Sequence, residues 1–183
     1  MRYKFLMTTL LASVIFTYSG LAEDKSQKDD VQTSEGWLSA GIGGSHFGPC
    51  FYGSFTYRYN NNLFTIRYFK SDEFVFNVDG VYDKPFLTCK EIGVLYGIPI
   101  IKTNGLLSLL AGLGYVSGTD RGRKIDDYHQ FESINISTLG IPFEAKLQIK
   151  IVGPVGLCGT WFGNINSTKS YTGFILGITI GVL

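Results

Sequence analysis

Only two histidines occur in the chain of 183 residues, and each stands near a serine. Ser45 adjoins His46, and His129 precedes Ser133 by four positions, with Asp126, Asp127 and Glu132 around it. A hydroxyl, an imidazole and a carboxylate are the nucleophile, base and orienting acid that acyl-transfer chemistry needs, so Ser45, His46, His129 and Ser133 are the candidate catalytic residues. The same carboxylates with His129 have the donor types of a divalent-cation site. Arg121, Arg123 and Lys124 stand beside them, however, and mixed charge of this kind describes a solvated loop; no metal or other cofactor is expected. The basic trio could instead contact lipid phosphates. Gly41-x-Gly43-Gly44 is not a dinucleotide fingerprint, because it opens no helix.

A second set of charges is Arg58, Arg67, Glu91, Glu144, Lys146 and Lys150, with Gln148 among them. These residues alternate with bulky apolar ones, so in extended chain they share a face opposite the apolar face. Ions of both signs confined to a narrow interior must pair, since an isolated one is costly to desolvate. The set therefore reads as an ion-pair network that plugs a lumen.

The elements that would position these groups are strands. Glu91 to Val116, EIGVLYGIPIIKTNGLLSLLAGLGYV, holds two alternating arms about an Asn104-Gly105 turn. Ile92, Val94, Tyr96, Ile98 and Ile100 share one face of the first arm; Leu107, Leu109, Ala111, Leu113 and Tyr115 share one face of the second. Glycine and polar residues occupy the other face, the pattern of a barrel with hydrocarbon outside and a tight lumen within. From Gly36 onward eight such segments can be counted, starting at Trp37, Phe51, Leu63, Glu91, Leu107, Ser133, Val155 and Thr172. Asn61-Asn62, Asn104-Gly105 and Gly153-Pro154 are expected as tight turns, and longer polar loops alternate with them. In the second and third segments the expected pairing sets Tyr59 against Phe64 and Tyr57 against Ile66. A bulge near Ser137-Thr138 would reconcile the opposite parities of Ile134 and Ile136 and of Leu139 onward.

Upstream, Arg2 and Lys4, the apolar Phe5 to Phe16 and the small-x-small Gly20-Leu21-Ala22 read as a cleavable secretory signal over residues 1–22. Residues 23–35, polar and aperiodic, are expected as a disordered periplasmic tail, and 36–183 as the barrel. Without the signal the chain has 14 Lys plus Arg against 15 Asp plus Glu, so no basic face suits nucleic acid. Cys50, Cys89 and Cys158 are widely spaced and odd in number, which argues against a disulfide framework or a zinc site with short ligand spacing; at most one bridge could form, and one between Cys50 and Cys89 is not expected because a third strand separates theirs.

Ile92 to Ile100, IGVLYGIPI, recurs in outline as TLGIPFE from Thr138 to Glu144. With the signal and the glycine-dotted last strand, the chain resembles the small eight-stranded outer-membrane β-barrel families of Gram-negative bacteria, of OmpX or OmpA-barrel type. The resemblance implies an all-β, antiparallel, up-and-down transmembrane barrel in the cell outer membrane. It also implies insertion by the barrel assembly machinery, a monomeric state, and loops that contact lipopolysaccharide or a partner. The ending Gly181-Val182-Leu183 departs from the terminal aromatic residue often found in such barrels. Two alternatives remain open. Inward glycines Gly93, Gly97, Gly112, Gly114, Gly173 and Gly177 could leave a crevice for an acyl chain, as in a lipid A acyltransferase or deacylase, although the His-x-Ser-Asn of the deacylases is absent. A soluble lipocalin-like calyx would instead turn the apolar rows inward.

Overall fold

The computed structural model describes residues 34–73, 86–101, 105–125 and 131–181. Eight strands, β1 Ser34–Ser45, β2 Gly48–Tyr59, β3 Asn62–Asp72, β4 Thr88–Ile101, β5 Gly105–Lys124, β6 Phe131–Val152, β7 Val155–Asn166 and β8 Tyr171–Gly181, pair antiparallel in sequence order. The closing pairing of β1 with β8, from Trp37 opposite Gly181 to Ser45 opposite Gly173, makes the sheet a closed barrel. Closure leaves no sheet edge along the wall, the condition for strands to cross hydrocarbon.

The alternation in sequence becomes an alternation of faces. Ile92, Val94, Tyr96 and Ile100 are 45–61 % exposed, and Phe174, Leu176, Ile178 and Ile180 are 50–64 % exposed. Between them, Glu91, Gly93, Leu95 and Gly97 turn inward and are buried. This inversion contradicts the calyx, whose apolar rows would line the interior. The outward row on β4 spans about 27 Å at ~3.4 Å per residue. At the roughly 40° strand tilt of such barrels that is about 20 Å of height, close to the apolar band of a membrane barrel.

The tight turn after β2 falls at Asn60-Asn61, one position earlier than the sequence suggested, because Asn60 takes the left-handed conformation at φ 54°. Tyr57 consequently pairs with Phe64, and Ile66 with Phe55. The register slips by two residues, so every side chain keeps its expected face. The connection between β1 and β2 is likewise shorter than the expected loop. Ser45 pairs with Gly48, leaving only His46 and Phe47 in the turn, with Gly48 at φ 131°.

No bulge forms at Ser137-Thr138. Those residues pair in unbroken register with Ser117 and Val116, and Ile136 stays inward at 4 % exposure. Its parity reads as polar-face because the lumen at that height is itself apolar. Register shifts occur instead between Pro99 and Ile101, Arg121 and Lys124, and Lys150 and Val152. The first strand starts at Ser34, ahead of the expected Trp37; β7 continues to Asn166, and β8 starts at Tyr171, one residue before the expected Thr172. Residues 1–22, the tail as far as residue 33, and Asn104 lie outside the described residues.

Candidate functional site

The chemistry-bearing side chains collect inside the barrel. Alternation on β2, β3, β4 and β6 brings Tyr52 and Ser54, Arg67, Glu91, and Glu144, Lys146 and Gln148 to the inner face, all buried. Arg67 occupies the centre. Its Nε donates to Glu91 Oε1 at 2.9 Å, and its Nη1 approaches Glu144 Oε2 at 3.5 Å. The remaining guanidinium donors reach the carbonyls of Phe143 at 3.2 Å and Gly163 at 3.3 Å, and the Phe162 ring lies 5.7 Å from the guanidinium carbon. The second Glu91 oxygen accepts from Asn164 Nδ2 at 2.9 Å and from the Tyr171 hydroxyl. Glu144 accepts from the Tyr52 hydroxyl at 2.9 Å and meets Lys146 Nζ at 3.1 Å. Lys146 also donates to Ser54 Oγ at 3.0 Å and lies 5.2 Å from the Tyr52 ring centroid.

Two carboxylates thus face two cations, so the layer has no net charge. Both oxygens of Glu91 and Oε2 of Glu144 accept hydrogen bonds, whereas Glu144 Oε1 has only the Lys146 ammonium beside it, so pairing of opposite charges is what makes these buried ions tolerable. Apolar clusters close the lumen on either side. Toward the longer loops lie Phe47, Tyr52, Phe69, Val116, Ile136 and Phe162, with Phe69 stacked on Tyr171 at 5.3 Å. Toward the tight turns lie Trp37, Leu63, Leu95, Leu106 and Leu110.

Gln148 extends the polar layer by donating to Thr179 Oγ1 at 3.1 Å. Arg58 does not join it. That side chain sits nearer the turn end, paired with Glu35 at 2.8 Å and partly exposed. Lys150 is exposed and also stands apart from the network. Asn164 and Tyr171 are the members that the sequence reading missed. Their signal is parity alone: each is an even number of residues from an inward position of its own strand, Phe162 and Ile175 respectively.

Among the described residues, no hydrogen bond joins the candidate catalytic groups Ser45, His46 and Ser133. Ser45 Oγ shares a hydrogen bond with Ser71 Oγ at 2.8 Å and accepts from the Phe47 backbone N–H at 3.1 Å, so it shapes the turn. The His46 ring meets Phe47 edge-on at 6.1 Å. Ser133 is exposed opposite Arg121, Glu132 is exposed beside it, and Asp126, Asp127 and His129 lie outside the described residues. Among the described residues no group of three or more His, Cys, Asp or Glu could hold a metal.

The inward glycines leave no crevice. A Cβ on Gly97 would come within 2.0 Å of the Leu109 carbonyl oxygen, and one on Gly112 within 1.9 Å of that of Val94. Pro142 fills the space over both Gly93 and Gly114, and Phe162 that over Gly173. Glycine is needed here because neighbouring backbone and rings approach so closely.

At the loop end Arg121 pairs with Glu73 at 2.5 Å, and Lys169 with Asp120 at 2.7 Å. Arg123 and Lys124 are exposed at the end of β5. Cys50, Cys89 and Cys158 are free and buried. Cys50 and Cys89 both neighbour Ser71, one on each side of β3, so two strand spacings of ~4.8 Å separate them, beyond disulfide reach.

No protein-family model matches the chain, and no curated protein matches it by sequence. Solved structures do match in fold. A major outer membrane protein from Thermus thermophilus aligns with TM-score 0.59 at 9 % identity, over 82 % of this chain and 100 % of that one. The N-terminal β-barrel domain of Pseudomonas aeruginosa OprF aligns with TM-score 0.55 at 13 % identity, over 81 % and 97 %. Ail, the attachment invasion locus protein of Yersinia pestis, aligns with TM-score 0.55 at 16 % identity, over 81 % and 99 %. The shared fold is the small eight-stranded barrel. At these identities the likeness carries the architecture and leaves activity to the residues themselves.

Proposed function

We propose that the chain is an outer-membrane β-barrel with a structural or interaction role, exported by a cleavable signal at residues 1–22 and inserted by the barrel assembly machinery. One observation carries the reading: apolar side chains cover the outside of a closed barrel while a neutral, fully buried set of two carboxylates and two cations lies inside it. That arrangement is stable only where the outside meets hydrocarbon. The charge network, flanked by apolar clusters, serves as a plug that fixes register and leaves no water path. Work at such a barrel is then done at the loop end, on lipopolysaccharide or a protein partner. Ail, a neighbour in fold, has been solved in complex with the heparin analogue sucrose octasulfate.

Two measurements test this together. The folded protein from outer-membrane fractions is expected to migrate differently on a denaturing gel before and after boiling, and to show no steady conductance in planar bilayers. Release by carbonate wash, or a conductance lost in Glu144→Ala, contradicts the membrane assignment and the plug respectively. The lipid A acyl-modifying reading finds no support in the geometry of Ser45, His46 or Ser133. It predicts a changed lipid A mass spectrum when the gene is removed; the plugged barrel predicts an unchanged one.

A further inference from the structure

Lys70 on β3 and Lys90 on β4 are direct partners across the sheet, and both sit at outward positions of their strands. Cations placed opposite each other on one face repel. Asp72 answers Lys70 at 2.7 Å, with the two side chains 41 % and 49 % exposed. Lys90 has no hydrogen-bond or ion-pair partner among the described residues. The nearby carboxylates of this rim are already engaged, Asp72 with Lys70, Glu73 with Arg121 and Asp120 with Lys169. Among the described residues, no nearby carboxylate is therefore left to balance Lys90 on the outer wall.

Its height is what identifies the missing anion. On four successive strands the outward row changes from apolar to polar, at Tyr68 to Lys70, Ile92 to Lys90, Tyr115 to Ser117 and Leu139 to Ser137. The Tyr115 hydroxyl and Ser137 Oγ are hydrogen-bonded at 2.9 Å across this border, the amphipathic placement tyrosine adopts where hydrocarbon gives way to headgroups. Below the pair lie Tyr68, Ile92 and Val94, all exposed, which suit acyl chains. The border lies on the side of the longer connections, which is the outer leaflet in a barrel whose tight turns face the periplasm.

We propose that Lys70 and Lys90 form a binding site on the outer wall for the phosphate of an outer-leaflet lipid, a phosphomonoester on the headgroup of a lipopolysaccharide. The proposal rests on the membrane reading above and names a contact on the wall, separate from the loop cations Arg121, Arg123 and Lys124. The two ammonium groups act as point charges on the phosphate while the lipid's chains lie against the apolar row beneath.

The test places the full chain in nanodiscs of phosphatidylcholine containing a small fraction of lipid A, either bis-phosphorylated or dephosphorylated, and measures lipid A retained per protein by native mass spectrometry. The wild type is expected to retain the phosphorylated form preferentially. Lys90→Gln should lower that preference about fivefold, and Lys70→Gln with Lys90→Gln about 25-fold, from the usual contribution of one lysine at an anionic surface. Arg123→Gln should leave the preference nearly intact. Equal retention of both lipids by the wild type, or an undiminished preference in the double variant, overturns the site. Displacement of lipid A by millimolar inorganic phosphate would overturn the assignment to a lipid headgroup. A chain that enters nanodiscs and shifts on heating yet shows no preference refutes only the lysine site; one that does neither refutes the membrane reading as well.

Discussion

Lys146 and Leu147 are consecutive on β6, and their environments are the reverse of those in a water-soluble protein. The lysine is 1 % exposed and the leucine 47 % exposed. Each is stable for a different reason. Lys146 is held by Glu144, Ser54 and the face of Tyr52, so its desolvation is offset by specific partners. Leu147 has no need of a partner if its surroundings are lipid tails. The comparison teaches that charge is tolerated on the inner face only as a complete set and is excluded from the outer apolar band altogether.

Breaking the inner set should have the largest effect. Glu144→Ala leaves Lys146 without its carboxylate and deprives Arg67 of one of its two, and truncating one member of a buried pair typically costs ~3–5 kcal/mol. The folded, heat-shiftable form should be lost or its urea midpoint in lipid should fall sharply; an unchanged midpoint would mean the pair is not buried. Placing a charge on the other face comes next. Leu113, 74 % exposed on β5, faces outward in the middle of the apolar row, and Leu113→Arg is expected to destabilise by about 2–4 kcal/mol in a bilayer. A substitution without effect there would place Leu113 in water.

The rim ion pairs sharpen the contrast, since Arg121 and Glu73 are 24 % and 21 % exposed and water supports them. Arg121→Ala should cost no more than about 1 kcal/mol by the same assay. The smallest change expected is for Thr160→Val. Thr160 Oγ1 is buried without a hydrogen-bond partner, so a near-isosteric methyl in its place should leave stability unchanged or slightly raised. A marked loss would show that the hydroxyl is bonded after all, for instance to a buried water.

The faces of the strands were legible in the sequence because parity is a local property. Ile92 to Ile100, Arg67, Glu91, Glu144 and Lys146 all lie on the side that alternation assigned them. Register was less legible: choosing Asn60-Asn61 over Asn61-Asn62 depends on which asparagine adopts positive φ, and neither choice disturbs parity. Strand ends were least legible. Asn164 and Tyr171 flank a polar run that looks like a loop, and only the charge of Glu91 on a strand more than 70 residues away gives them a place inside. Ile136 misled for the opposite reason, because an inward isoleucine in an otherwise polar lumen resembles a change of phase. It lies instead in an apolar cluster above the ion pairs.

The two tryptophans of the chain allow the central claim to be tested directly, since Trp37 is 2 % exposed inside the barrel and Trp161 is 53 % exposed on the wall. In vesicles of lipid brominated on the acyl chains, the Trp37→Phe variant should have its remaining fluorescence strongly quenched, and the Trp161→Phe variant should be quenched little. Quenching of Trp37 with Trp161 left bright and accessible to aqueous iodide would contradict the account, because the apolar rows would then face away from the membrane.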